Sequence, residues 1–289
     1  MPTAKRTERR LRWAWLALAG LLLLAALSLL FWRTTGLGRD RTWEHILAAG
    51  QWRVGLDPSF PPFEALDAAG QPIGFDVDLA RAIAATWGVE VQFEGLGFDG
   101  LVDAVQTGRL ESAISALPYQ PERTQDVAFS PAYFEAGLVL VTPAGDKLEA
   151  GAAAGAGAVG SLDDLAGRRL AVEWGSEGDV QARLLRRRFP DLVLLPEDTP
   201  QAALLAVAEG QADAALVDHI SALQASAADP RLAISPEVIV SDPYVIVLPR
   251  KAPELQRRVA VALQMLQADG TLDTLMAHWF GLAPLSKDE

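Results

Sequence analysis

Apolar and polar positions follow two periods along most of this chain. From Gly74 to Trp87 the residues Phe75, Leu79, Ile83 and Trp87 recur every four positions, which predicts an amphipathic helix. Trp52–Leu56, Val89–Phe93 and Ala113–Leu117 are short apolar runs bounded by turn residues, and read as strands. Between them lie the loop Asp57–Phe63, a tight turn at Asp67–Gly70 and a helix over Leu101–Thr107 that Gly108 stops. A short helix at Trp43–Ala48 precedes the first strand. The pattern then repeats. After a strand at Gly137–Val141 come strands at Arg169–Glu173, Leu192–Leu195 and Ala212–Val217, with helices at Val180–Arg188 and Pro200–Glu209. Val245–Pro249 is one more strand, and Pro253–Gln267 and Thr271–Trp279 are closing helices. Strand–helix alternation in two series predicts an α/β fold with two mostly parallel sheets covered by helices. The stretch Gly145–Gly160 is rich in Gly and Ala and reads as a flexible surface insert.

One segment fits neither period. Trp13–Trp32 carries no charge, follows Lys5, Arg6, Arg9, Arg10 and Arg12, and has Trp13, Trp15, Phe31 and Trp32 at its ends. Twenty helical residues span about 30 Å, the thickness of a bilayer's hydrocarbon core. The basic flank and the aromatic ends predict one transmembrane helix at 13–32, with the basic tail in the cytoplasm and the rest of the chain on the extracytoplasmic side. A cleaved signal peptide, leaving a secreted protein, is the competing reading. Against it, the run ends in Leu30-Phe31-Trp32 rather than in small residues. Residues 1–50 thus divide into tail, anchor and linker.

Composition narrows the function. The chain has 289 residues, enough for two lobes, and a formal charge of −12. Without residues 1–12 that charge becomes −16, which argues against nucleic acid. With no cysteine, disulfides, thiolate metal sites, cysteine nucleophiles and lipoprotein acylation are excluded. The three histidines, His45, His219 and His278, lie far apart without metal-ligand spacing, so neither a metal nor a cofactor is expected. No Gly-x-Ser-x-Gly elbow is present. Gly95-x-Gly97-x-x-Gly100 and Gly155-x-Gly157-x-x-Gly160 match a dinucleotide fingerprint, but neither sits between a strand and a long helix with an acidic residue about 20 positions on. They read as a turn and a loop.

The most informative stretch is Ala113–Phe134. Pro118 and Pro121 end its apolar run, and Pro121-Glu122-Arg123 opens a short helix. Arg123 therefore stands beyond the carboxyl end of a strand, where open α/β sheets bind ligands, and offers a planar fork of donors to a carboxylate. A surface ion pair is the alternative use of such an arginine.

Ordered motifs extend this reading. Val54-Gly55-x-Asp57 with Pro62-Phe63, Gly74-Phe75-Asp76-Val77-Asp78-Leu79 and Phe98-Asp99-Gly100-Leu101 come first. Glu122-Arg123 with Phe129-Ser130, then Gly175-Ser176, then Asp269-Gly270-Thr271 follow. Together they resemble the extracellular solute-binding proteins of family 3, the periplasmic polar amino-acid-binding proteins of ABC importers. The resemblance runs from about Trp52 to Phe280. It implies a two-lobed periplasmic-binding-protein-like fold with two crossing hinge strands, near Phe134–Gly137 and Ser241–Tyr244, closing on ligand. Lobe 1 would be 51–135 plus 243–285, and lobe 2 would be 136–242.

The resemblance also implies roles. Arg123 matches the arginine that grips the ligand α-carboxylate, Ser115 a residue that helps hold the ligand, and Asp218 the carboxylate that receives the α-amino group. Ser176 and Glu177 lie in the turn whose N–H groups face the ligand. Phe60 and Phe98 match aromatic walls, and Asp57 a residue at the far end of the pocket. Read without the resemblance, Phe60 and Phe98 also suit a core, Asp57 a cap of the Pro58 turn, and Asp218 a surface acid. Asp76 and Asp78 read as helix N-terminal charges. Two positions depart from the family pattern. Pro118 lacks the hydroxyl and N–H of the usual Ser or Thr, and Glu177 places a carboxylate where Thr or Ser is common.

The expected function is a membrane-anchored binding protein without chemistry of its own. Its partners would be a polar amino acid, an ABC permease and, through residues 13–32, the lipid bilayer. A dehydratase-like enzyme on the same fold and a ligand-sensing input module are the alternatives. Asp57, Glu177 and Asp218 against Arg123 leave an excess of negative charge, which predicts a preference for arginine- or lysine-like ligands over acidic ones.

Overall fold

The computed structural model describes residues 41–144, 159 and 161–281. The apolar run 13–32 and most of the Gly/Ala-rich insert lie outside the described residues. Among the described residues no helix is long and apolar enough to cross a membrane.

Helix α1 (Thr42–Ala49) leads into strand β1 (Gln51–Leu56). A small ribbon of β2 (Ala65–Leu66) and β3 (Pro72–Ile73) precedes α2 (Phe75–Trp87), β4 (Glu90–Gly95), α3 (Phe98–Gln106) and β5 (Ser112–Ala113). A 3-10 turn at Pro121–Arg123, β6 (Val127–Phe129) and β7 (Phe134–Glu135) lead to β8 (Leu138–Pro143). Then come β9 (Arg169–Glu173), α4 (Glu177–Arg188), β10 (Val193–Glu197), α5 (Pro200–Ala208), β11 (Ala214–Asp218), α6 (His219–Ala228) and β12 (Leu232–Val240). Last are β13 (Pro243–Tyr244), β14 (Val247–Pro249), α7 (Pro253–Ala268) and α8 (Thr271–Phe280).

Two five-stranded sheets result, ordered β4-β1-β5-β14-β6 and β10-β9-β11-β8-β12. In the first, β1 runs parallel to β4 and β5, and β14 returns antiparallel between β5 and β6. In the second, β9 is parallel to β10 and β11, and β8 lies antiparallel between β11 and β12. Between the sheets the chain passes twice, and the passes pair as β7 and β13, with Glu135 opposite Pro243 and Phe134 opposite Tyr244. Gly137 follows β7 at a point where a Cβ would stand 1.7 Å from the Val240 carbonyl oxygen, so the second pass fits only against a glycine.

The four-residue period of α2 is a packing stripe. Phe75, Leu79 and Ile83 are fully buried, against Leu255, Val259 and Leu263 of α7 and Leu272 and Phe280 of α8. Each such aliphatic or aromatic side chain contributes about 1.5–3 kcal/mol through burial. Trp87 stays at the edge, its ring 5.1 Å from Trp43 and 4.8 Å from Trp52. Gly88 ends the helix at φ 71°, a left-handed conformation that glycine adopts without steric cost. The closing helices thus return to the first sheet although more than 120 residues separate Phe129, the end of β6, from Pro253, the start of α7.

One expectation needs correction, and two features lie beyond what the sequence predicts. The apolar run Ala113–Leu117 is buried, yet only Ser112–Ala113 belongs to a strand. Beyond it Ser115 turns its hydroxyl to Glu64, and Ala116 sits at φ 45° with its N–H on Asp76. Apolar composition signals burial, and here the chain is buried as a sharply turned floor rather than as a ladder. Helix α6 and strand β12 lie in a stretch with no clear period. Helix α6 is HISALQASAA, too small and mixed to form a stripe, and β12 shifts register between Ile234 and Val238, around Pro236. Finally, Asp76 stands in the first turn of α2 as expected, and it is buried there. It accepts the Ala116 N–H at 2.6 Å and the Tyr133 hydroxyl at 2.9 Å.

Candidate functional site

The cleft follows from where the strands of both sheets end. Two cavities meet there, of about 370 and 330 Å³, and both are lined by Phe60, Asp242 and Tyr244.

The 370 Å³ cavity belongs mainly to the second sheet. Asp218 closes β11 and caps α6, its Oδ1 accepting the Ser221 N–H at 2.8 Å. Ser176 caps α4 in the same way. Its hydroxyl accepts the Asp179 N–H at 3.2 Å and donates to the Glu173 carbonyl at 2.7 Å. Glu177 and Gly178 form the first turn of α4, where backbone N–H groups have no intrahelical acceptor and negative charge is favoured. Gly178 lets the helix approach β11, since a Cβ there would stand 2.6 Å from the Leu216 carbonyl oxygen. Asp218, Ser176, Glu177, Glu173 and Asp242 all line this cavity.

The 330 Å³ cavity belongs to the first sheet. Asp57 follows β1, and its Oδ2 accepts the Phe98 N–H at the start of α3 at 2.8 Å. Its own N–H reaches the Ser115 hydroxyl at 2.9 Å. The Ser115 hydroxyl donates in turn to Glu64 Oε1 at 2.7 Å. Phe60 is 44% exposed and Phe98 41%, so they stand as walls of the cavity rather than inside a core. Phe60 is backed by Phe63, stacked at 5.6 Å. Pro118 lines the same space.

Seven of the eight residues expected in the site therefore gather at one cleft. Arg123 does not. It sits in its 3-10 turn with Nη2 donating to Asp103 at 2.7 Å and Nε 3.2 Å from Asp126, and it lines neither cavity. Trp174 is 70% exposed and also outside both. His219 is tied to the hinge. Its Nδ1 lies 2.5 Å from the Glu135 carbonyl oxygen, and its ring stacks on Phe134 at 5.8 Å.

Among the lining residues without a role in the sequence reading are Glu64, Glu173, Asp242 and Tyr244. Glu64 had a signal in its place after Pro61-Pro62-Phe63, next to the loop that carries Asp57 and Phe60. The others are set by the hinge and by a strand end, and nothing local marks them. Asp242 stands between both cavities. Burial, then repulsion from Glu135 and Glu177, pushes its carboxyl above the usual carboxylate range. Among the described residues, six distinct carboxyl groups line the two cavities, and no Lys, Arg or His does.

The sequence profile of the bacterial extracellular solute-binding proteins, family 3, matches residues 52–282. The chain belongs to that family. Among its relatives, the "Putative ABC transporter arginine-binding protein 2" of Escherichia coli strain K12 is 27% identical over 238 residues, covering 81% of this chain and 92% of the relative. The unliganded open L-cystine solute receptor of Neisseria gonorrhoeae superposes with a TM-score of 0.69 at 25% identity, over 83% of this chain and 97% of the receptor. An ancestral cyclohexadienyl dehydratase superposes with a TM-score of 0.67 at 25% identity, over 82% of this chain and 95% of the dehydratase. The family-3 chain is thus a two-lobed α/β protein whose named relatives include amino-acid-binding proteins of ABC transporters. Membership of an extracellular family assigns the binding domain to the extracytoplasmic side.

Proposed function

We propose that this protein captures a cationic amino acid, arginine or lysine in type, in the cleft between its lobes and delivers it to an ABC permease without chemical change. The observation that carries the reading is the charge of the cleft: among the described residues, six carboxyl groups and no basic side chain line it. Buried charge is costly unless paired, so such a cleft favours a positive ligand and opposes an acidic one. In this reading Asp218 takes the α-ammonium. Asp57, between Phe60 and Phe98, takes the side-chain cation, with the rings flanking its stem. Glu177 and Gly178 N–H groups at the start of α4 offer donors to the α-carboxylate. Arg123 reaches the carboxylate only by exchanging Asp103 and Asp126, solvent-exposed partners that hold it weakly.

Calorimetric titration with arginine, glutamine and glutamate tests the reading. Arginine is expected to bind tightest and glutamate not at all; tight glutamate with silent arginine overturns it. Mass spectrometry of the incubated ligand is expected to show arginine unchanged. Arg123→Ala separates the carboxylate from the rest. It is expected to weaken arginine by about 1.5–3 kcal/mol, the worth of a charged hydrogen bond, and to leave the decarboxylated analogue agmatine unaffected. Equal effects on both ligands would remove Arg123 from the site.

We also propose that residues 13–32 stay attached as a membrane anchor, supported by their length, basic flank and bulky end. Intact mass of the exported protein is expected to retain residue 1. A mature N-terminus between residues 25 and 45 shows cleavage instead.

A further inference from the structure

Beneath the lobe-1 cavity lies a carboxyl pair, of which the reading above counts Glu64 among the cleft's carboxyls but gives it no role. Glu64 is 1% exposed and lines the cavity; Asp76, on α2, is equally buried behind it. One oxygen of each is satisfied. Glu64 Oε1 accepts the Ser115 hydroxyl, and Asp76 Oδ2 accepts the Ala116 N–H and the Tyr133 hydroxyl. The other two, Glu64 Oε2 and Asp76 Oδ1, are buried acceptors without a donor. The two carboxyls are neighbours, held by consecutive residues: Glu64 by the Ser115 hydroxyl and Asp76 by the Ala116 N–H. Two buried carboxyls side by side cannot both stay ionised without a counter-charge. We propose that Glu64 and Asp76 share one proton in the ligand-free protein, and that the ligand's side-chain cation, lying between Asp57 and Glu64 in the cavity both line, displaces that proton into solvent. This rests on the cleft being the site for a cationic amino acid.

Every group that faces Glu64 points the same way. Asp76 and Asp57 are acidic, Ser115 donates to it, and Tyr133 donates to Asp76. Asp242 and Tyr244 line the cavity opposite. No cation among the lining residues offsets this charge. Burial first, then repulsion from Asp76, pushes the Glu64 carboxyl far above its usual range, and burial pushes Asp76 up as well. In the empty site the least costly counter-charge is a proton. A ligand guanidinium or ammonium brings its own positive charge and donors, so the proton becomes redundant. The balance is one cation in and one proton out. A neutral ligand of the same shape leaves the proton where it is. Glu64 thereby becomes a specificity residue, because it distinguishes ligands by charge at constant size.

The test titrates the protein calorimetrically with arginine in two buffers of different ionisation enthalpy, and repeats it from about pH 6 to about pH 8. The expected result is a buffer-dependent heat equivalent to about one proton released per arginine, with affinity rising towards tenfold per pH unit. Citrulline, the neutral isostere, is expected to release none. Glu64→Gln keeps an acceptor for Ser115 and removes the titrating group. It is expected to abolish the proton release and to reduce the preference for arginine over citrulline at least tenfold. The wild-type measurement stands even if that variant folds poorly. Arginine bound with the same heat in both buffers overturns the shared proton and leaves the functional reading intact. A protein that binds glutamate or a neutral solute and no cationic ligand overturns both.

Discussion

Asp218→Asn is expected to abolish tight binding of a cationic amino acid while leaving the fold unchanged. Asp218 has two tasks at one position. Its Oδ1 caps α6 through the Ser221 N–H, and its carboxylate lines the lobe-2 cavity. Asparagine preserves the cap, because a side-chain amide oxygen accepts that N–H as well. It removes the charge, so the ligand ammonium is left without its partner in a desolvated cleft. Losing one side of such a pair costs about 2–5 kcal/mol, on the order of 30-fold to several-thousand-fold in affinity. Asp218→Ala removes the cap too and is expected to lower unfolding stability by about 1 kcal/mol more. Calorimetry and denaturant unfolding on both variants separate the roles. An asparagine variant that binds arginine normally would move the ammonium site elsewhere.

Phe63→Ala is expected to be the most damaging single truncation. Phe63 is fully buried between Phe134 of β7, Tyr244 of β13, Phe280 of α8 and Phe75 of α2, with ring centroids 5.0 to 5.8 Å away. It joins both hinge passes to the returning C-terminal helix. Removing a buried phenylalanine costs about 3–5 kcal/mol, because five surrounding rings collapse poorly into the void. Phe60 stacks on Phe63 and forms a wall of both cavities, so ligand affinity is expected to fall alongside stability. Urea denaturation measures the first effect and titration the second. A change in midpoint of less than about 1 kcal/mol equivalent would show that the hinge does not depend on this ring.

The difference between these two residues marks how far the chain could be read from its letters. Asp218 was legible as the residue that ends the apolar run Ala212–Val217, and its role came from the family resemblance. Phe63 was legible only as part of a motif, since its partners come from residues 75, 134, 244 and 280. Helix α2 was legible in full, since its stripe is local. Helix α6 and β12 were not, because small residues and a bulge carry no period.

What the residues determined alone was local and periodic: the alternation of strands and helices, the glycines and prolines that end them, the absence of thiol chemistry and the negative charge. Those properties need only neighbours in sequence. What the tertiary structure decided was pairing across distance. It returned α7 and α8 to α2, set Asp242 and Tyr244 between two cavities, engaged Arg123 with Asp103 and Asp126, and buried Glu64 against Asp76. Such placements depend on which groups share a low-dielectric space. A carboxylate followed by solvent and a carboxylate followed by another carboxylate look the same along the chain, and only burial makes them chemically different.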